Sequence, residues 1–436
     1  MGIIMLKNNL KERMMHDKTI ALHAGYHQEC YGAMSVPIFQ TTAYEFRDSE
    51  HAANLFELKE LGNIYTRLTN PTTQVFEERF AALEKGAAAV ATASGTAAIF
   101  YAFANVAETG DNILVAKQAY GGTLTLAAHT IKRFGIEARF FDIHNLEELE
   151  SQIDDKSKII FFETIPNPAI DVADIEKIVA IAKKHNIILC ADNTVATPVF
   201  CKPLKLGADI VVHSISKYVN GQGNALGGMI VEREGIIDLI KDNPRYQHFN
   251  EPDLSYHGLV YTSLELPIFT LRVRLALLRD FGGAPSPFNS WLNIQGLETL
   301  ALRMRQHSKS ALQIAKFLES HKKVLSVNYP GLESSPSFAN AQKYLKEGMA
   351  SGLLSFILST KEAAQKVAES TKLFSLVVNI GDSKSIITHP ASTTHQQLSK
   401  EELDAAGVPA GLVRLSVGLE DVEDLIDDLA QALEKA

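Results

Sequence analysis

The sequence predicts an α/β fold: a large domain on a mostly parallel sheet, doubly wound or close to it, with a smaller α+β domain after it. Three observations carry this expectation. Short apolar runs without polar alternation recur along the chain, the pattern of strands covered on both faces. Segments of helical periodicity separate them, as crossovers between parallel strands require. The length, 436 residues, suffices for one large unit and a smaller partner.

Taken in order, residues 1–69 lack regular periodicity and include the extended, β-branched and aromatic stretch SVPIFQTTAYEF, which reads as an arm lying across something else. A helix follows: Asn70 caps it, Pro71 suits its first position, Phe76, Phe80 and Leu83 share a face, and Gly86 stops it. The large domain, expected over 70–298, then alternates. AAAVATAS, NILVAK, ARFFD, KIIFFET, IILCAD, DIVVHS and GGMIVE read as strands. GTAAIFYAFANVA, GGTLTLAAHTIKRFG and DIEKIVAIAKKHN read as helices between them. Residues 232–265 are irregular and aromatic, which suggests an ordered insertion. A long helical stretch beginning FNSWLNIQG leads into the C-terminal domain, expected over 299–436.

Composition excludes several classes. The formal net charge is −9, with no long run of either sign, which argues against a nucleic-acid or anionic-membrane surface. No stretch approaches the roughly 18 consecutive apolar residues of a membrane span. The first residues carry too short an apolar run for a secretion signal. Cys30, Cys190 and Cys201 are an odd set without metal-ligand spacing, as expected of a reduced, cytoplasmic compartment.

In an open parallel sheet, ligands bind beyond the carboxyl ends of the strands. Those ends deliver Gly95 and Thr96 at a helix start, Tyr120 ahead of Gly121 and Gly122, and Asn167 between two prolines. They also deliver Asp192 with Thr194, and Ser214, Ser216 and Lys217. Each has an ordinary reading by itself: a turn, a packed ring, a cap, a solvated lysine. Together they match the needs of pyridoxal 5'-phosphate, which takes an amine for its aldehyde, an acid for its ring nitrogen, a phosphate cradle and an aromatic ring. A nicotinamide dinucleotide reading fails, because GQGNALGG lacks the third glycine of G-x-G-x-x-G.

At this point YTRLTNPTTQVFEERFAALE, ASGTAAI, AYGGT, ETIPNP, ADNTVATP, HSISKYVNGQG, HPASTTHQQLSKEEL and GLVRLSVGLED resemble the cysteine/methionine-metabolism family of pyridoxal phosphate enzymes. The resemblance runs from about residue 20 onward and implies the aspartate-aminotransferase-like (type I) fold. It also implies a homotetramer, a dimer of dimers with shared active sites. By the same resemblance Lys217 attaches the cofactor and acts as base, Asp192 pairs with the ring nitrogen, and Tyr120 stacks on the ring. Gly95, Thr96, Ser214 and Ser216 hold the phosphate, with Thr194 counted beside them. Tyr65 and Arg67 reach the phosphate of the neighbouring subunit, Tyr65 also facing its substrate. Asn167 lies near the cofactor 3-oxygen and the substrate carboxylate, which Arg414 clamps.

Departures narrow the reaction. Methionine γ-lyases place a cysteine two residues after the stacking tyrosine, where this chain has Gly122. Lyases and synthases usually read Ser-Leu-Gly where this chain reads Asn379-Ile380-Gly381, so Asn379 joins the substrate-binding set. That wording, with EPDLSYHGLVY, resembles the O-acetylhomoserine sulfhydrylase branch most. It implies that O-acetyl-L-homoserine and sulfide, or another sulfur donor, give L-homocysteine and acetate in methionine biosynthesis. Methionine or homocysteine γ-lyase and cystathionine γ-synthase chemistries are the alternatives. A catalytically silent relative is expected to lose the lysine or its acid, and both are present.

Overall fold

The computed structural model describes residues 15–27, 32–393 and 409–436. The seven apolar runs form one seven-stranded sheet: β1 (Ala88–Thr92), β2 (Asn112–Ala116), β3 (Glu137–Phe141), β4 (Ser157–Glu163), β5 (Ile188–Asp192), β6 (Ile210–Ser214) and β7 (Gly228–Glu232). Their order is β1-β7-β6-β5-β4-β2-β3. Central strands such as β5 are buried along their whole length, which is why their sequences show no polar alternation. The expectation of parallel strands fails at one place. GGMIVE runs antiparallel to both β1 and β6, because the chain returns from β6 through residues 215–227 without a crossover helix.

The helix Pro71–Glu84 begins as expected, with the Asn70 side chain accepting from the Thr72 and Thr73 N–H groups. Its stop differs from the expectation. The left-handed residue is Lys85 (φ 61°), while Gly86 serves packing, since a Cβ there would lie 2.3 Å from Val231 Cγ1. GGTLTLAAHTIKRFG is helical throughout, widening over Leu126–Thr130 and tightening over Ile131–Phe134. The stretch after β7 is ordered, as a string of short turns. Its Tyr246, Phe249 and Tyr261 are fully buried, and Tyr246 Oη donates to the Lys158 carbonyl at 2.8 Å.

The helix Pro287–Glu319 spans 33 residues and passes unbroken through position 299. It leads into a second sheet: β8 (Val324–Asn328), β9 (Leu353–Leu358), β10 (Ser375–Leu376), β11 (Ile386–Thr388) and β12 (Leu412–Ser416), ordered β10-β11-β12-β9-β8. One apolar core joins one face of the large sheet to the small sheet, while a second core covers the opposite face. The carboxyl ends of β1, β4, β5 and β6 therefore share one edge, and β11 and β12 close over it.

Candidate active site

The site grows from the strand ends. Ser94 caps the helix Gly95–Ala104 by accepting from the Ala97 N–H at 3.2 Å, which leaves the first amides of that helix facing outward. Gly95 is required by its neighbour: a Cβ there would sit 2.6 Å from Ser214 Cβ, so only glycine lets β6 end against this helix. The Ser214 N–H donates to Thr194 Oγ1 at 2.8 Å, and the Ser214 and Ser216 hydroxyls lie 3.1 Å apart. Helix amides and hydroxyls converging in this way form an anion cradle.

Asp192 ends β5 and lies in register with Glu163, which ends β4. Burial raises the affinity of both carboxyls for a proton, and the Asp192 charge pushes Glu163 up further. Asp192 Oδ1 accepts from the Thr194 N–H at 2.8 Å, and Glu163 Oε1 from the Tyr120 N–H at 2.6 Å. Neither carboxyl has an arginine or lysine partner among the described residues. Two adjacent buried carboxyls without a cation disfavour being ionised together. A protonated ring nitrogen at Asp192 is the kind of group that keeps that carboxyl ionised.

Lys217 follows β6 and donates from Nζ to Asn379 Oδ1 at 2.7 Å. Burial, and then the Arg414 charge, hold its ammonium below the ordinary lysine value, which favours the free amine. Asn379 belongs to the segment between β10 and β11. Gly381 (φ +74°) presses that segment onto the lysine's own backbone, where a Cβ would lie 2.6 Å from Tyr218 N. Arg414 stands on β12, 5 % exposed. Its Nη1 donates to Asn167 Oδ1 at 2.9 Å, and its Nη2 to the Asn379 carbonyl at 3.1 Å and to Thr388 Oγ1 at 3.2 Å. Arg414 Nε has no partner, no carboxylate pairs with it among the described residues, and burial lowers its pKa to about 10. An incoming carboxylate would satisfy that guanidinium.

These groups enclose a cavity of about 250 Å³, with Tyr120 at its mouth and 48 % exposed. Gly95, Thr96, Tyr120, Asn167, Asp192, Thr194, Ser214, Ser216, Lys217, Asn379 and Arg414 all line it. Tyr65 and Arg67 do not. Tyr65 is 40 % exposed on the arm, with the Arg67 guanidinium 5.2 Å from its ring centroid. Glu163, Leu226 and Val378 line the cavity and escaped the sequence reading. Glu163 carries the same signal as Asp192, an acid at the end of an apolar run, since β4 ends at Glu163; the other two carry no chemical signal. Cys190 and Cys201 are buried free thiols outside the cavity, and burial pushes both up, away from thiolate character. Cys30 and most of TTHQQLSKEEL lie outside the described residues. Among the described residues no helix is long and apolar enough to cross a membrane.

The donor set fits pyridoxal phosphate: a glycine-floored cradle of hydroxyls and amides, a buried acid, an amine favoured as free base, and a ring at the mouth. The comparisons agree. The model of the family described as Cys/Met metabolism PLP-dependent enzyme matches residues 18–434. An O-acetyl-L-homoserine sulfhydrylase of Leptospira meyeri is 45% identical over 433 residues, covering 97% of each chain. A homocysteine synthase of Schizosaccharomyces pombe is 44% identical, covering 97% of this chain and 99% of its own. The crystal structure of a candidate O-acetylhomoserine (thiol)-lyase of Campylobacter jejuni superposes with a TM-score of 0.95 at 53% identity, covering 96% of this chain and all of its own. That protein carries a pyridoxyl-lysine monophosphate at its position 205.

Proposed function

The chain belongs to the Cys/Met metabolism family of PLP-dependent enzymes, and from that premise we propose how its residues divide the work. It is a transferase that converts O-acetyl-L-homoserine and sulfide to L-homocysteine and acetate, a step of methionine biosynthesis. Acetate leaves Cγ and sulfide takes its place, so the carbon is neither oxidised nor reduced. Pyridoxal phosphate supplies the electron sink that makes the Cα and Cβ protons of the substrate acidic.

The residues do the rest. Asp192, kept ionised by the cation it faces, holds the ring nitrogen protonated, while Glu163, pushed toward its neutral form by burial and the Asp192 charge, fixes the Tyr120 backbone. Arg414 grips the substrate carboxylate with Asn167 and Asn379 beside it, which orients the Cα proton toward Lys217. Lys217 Nζ takes the proton at Cα and shuttles protons at Cβ as acetate departs. Tyr120 shields the exposed side of the cavity from water and is the second proton carrier. Tyr65 and Arg67, outside the cavity of their own chain, complete the cradle of a neighbouring subunit in a dimer of dimers.

One observation supports this division most strongly. A single residue, Asn379, accepts from the Lys217 amine through its side chain and from Arg414 through its carbonyl. The proton-transfer group and the carboxylate clamp are thereby fixed relative to each other. Product analysis tests the reading: with pyridoxal phosphate and O-acetylhomoserine, homocysteine should form only when sulfide is added. Oxobutyrate and ammonia dominating with and without sulfide would identify a γ-lyase instead.

A further inference from the structure

A second cavity, about 410 Å³ against about 250 Å³ for the active site, shares no lining residue with it. Its walls come from the helix Asp17–His23, the end of the helix Pro71–Glu84, the turn Pro203–Leu206 and the helix Pro287–Glu319. Among the described residues six cationic side chains line it, Lys18, Lys85, Lys202, Lys205, Arg305 and Lys346, against a single carboxylate, Asp17. The whole chain carries a formal net charge of −9, so the concentration of positive charge is local.

The charges are not balanced internally. Asp17 Oδ1 serves two ammonium groups, Lys202 Nζ at 3.3 Å and Lys85 Nζ at 4.0 Å. Arg305 alone has a carboxylate to itself, Glu347 at 3.0 Å. Lys18, Lys205 and Lys346 make no ion pair among the described residues. Lys85 and Lys202 are held in place despite this: Lys202 also donates to the Leu83 carbonyl, and both are largely withdrawn from solvent. Burial, and for Lys85 the neighbouring Lys202 charge next, hold both below the ordinary lysine value. An anion entering the cavity would relieve that repulsion.

We propose that this cavity binds a compact, multiply charged phosphate anion, at a site separate from the one that takes the cofactor. The size suits a chain of two or three phosphates. Among the described residues the only aromatic ring in the lining is His16, with no Phe, Tyr or Trp beside it, so six cations weigh the site toward the charged groups rather than a base. Among the described residues the apolar contribution comes from Met15, Val199 and Ala301.

Calorimetric titration of the cofactor-loaded protein with inorganic tripolyphosphate, at fixed ionic strength, tests this. Saturable binding at one site per chain is expected, with the cofactor absorption band unchanged. Both Lys205 and Lys346 are exposed, so the double variant K205E/K346E folds, as its cofactor band and melting temperature can verify. It should bind tripolyphosphate at least tenfold more weakly, whereas Lys156→Glu, outside the cavity, should bind as the parent does. Absence of saturable binding, or equal binding by K205E/K346E, would overturn the site. ATP binding more tightly than tripolyphosphate would overturn the assignment to a compact anion. Loss of self-association in K205E/K346E without any tripolyphosphate binding would replace the anion by an acidic segment of another chain.

Discussion

The two sides of the active-site cavity are built in different ways. On the cofactor side every group sits at or just beyond a strand end of the large sheet, and main-chain hydrogen bonds fix it: the Ser214 N–H to Thr194, the Thr194 N–H to Asp192, the Tyr120 N–H to Glu163. On the substrate side, one buried arginine from the small sheet meets the Asn167 side chain, the Thr388 hydroxyl of β11 and a carbonyl from the segment between β10 and β11, where Val377 and Val378 stay about half exposed. The cofactor side is dictated by topology, so it can serve many reactions. The substrate side is a handful of adjustable contacts, and on the proposed division of roles the choice of reaction resides there.

That contrast can be broken at several points. The largest loss is expected from Lys217→Ala, the residue that belongs to both sides. Turnover should fall by roughly 10³-fold or more, and borohydride should no longer fix the cofactor to the chain; a retained covalent link would refute the role. Arg414→Leu tests the substrate side alone. Losing a buried charge partner costs about 2–5 kcal/mol, so KM should rise by roughly two orders of magnitude or more while the cofactor absorption persists. Loss of the cofactor in this variant would erase the distinction between the two sides.

Arg67→Ala should reduce cofactor retention several-fold, measured by dialysis, with kcat preserved at saturating cofactor; unchanged retention would leave the arm without its role across subunits. Glu163 sharpens the cofactor side. A carboxyl pushed toward its neutral form loses little on conversion to an amide, so Glu163→Gln should keep kcat/KM within about threefold. Glu163→Leu strands the Tyr120 N–H at about 1–3 kcal/mol. An inactive Gln variant would mean that Glu163 works as an anion. A comparably small effect is expected at Gly122, where a Cβ would approach Tyr120 Cε1 to 2.6 Å. Gly122→Ala should only turn that ring, lowering kcat by a few-fold and raising the oxobutyrate share.

The pH profile follows from the direction of the Lys217 shift. Only the unprotonated amine accepts the Cα proton, and burial with Arg414 nearby lowers its pKa. That amine is free only after the substrate has displaced it from the cofactor, so kcat should rise through a midpoint below the ordinary lysine value, and Arg414→Leu, which removes a neighbouring positive charge, should move that midpoint upward.

Legibility in the sequence follows the same division. All seven strands of the large sheet could be read because burial on both faces leaves unbroken apolar runs, and the chemistry at their ends could be read because ligands gather there. The direction of β7 could not, since GGMIVE is equally apolar in either orientation and only the path of residues 215–227 sets it. Glu163 was hidden by treating KIIFFET as strand alone, although its position beside Asp192 needs the sheet order to be known. Lys85 as the left-handed stop was hidden by the glycine next to it, the usual occupant of that position. Leu226 and Val378 look like any surface aliphatics until the second sheet closes over the first.

The strand that carries Arg414 has a consequence for how the molecule comes into being. Among the described residues β12 is the last strand in chain order, yet it lies at the centre of the small sheet, between β9 and β11. During synthesis the cofactor side can assemble from β1 to β7 first, with its helices already in place. The clamp cannot exist until β12 has emerged and inserted between strands made earlier. The order of translation therefore places the strand ends that face the cofactor ahead of the arginine that faces the amino acid.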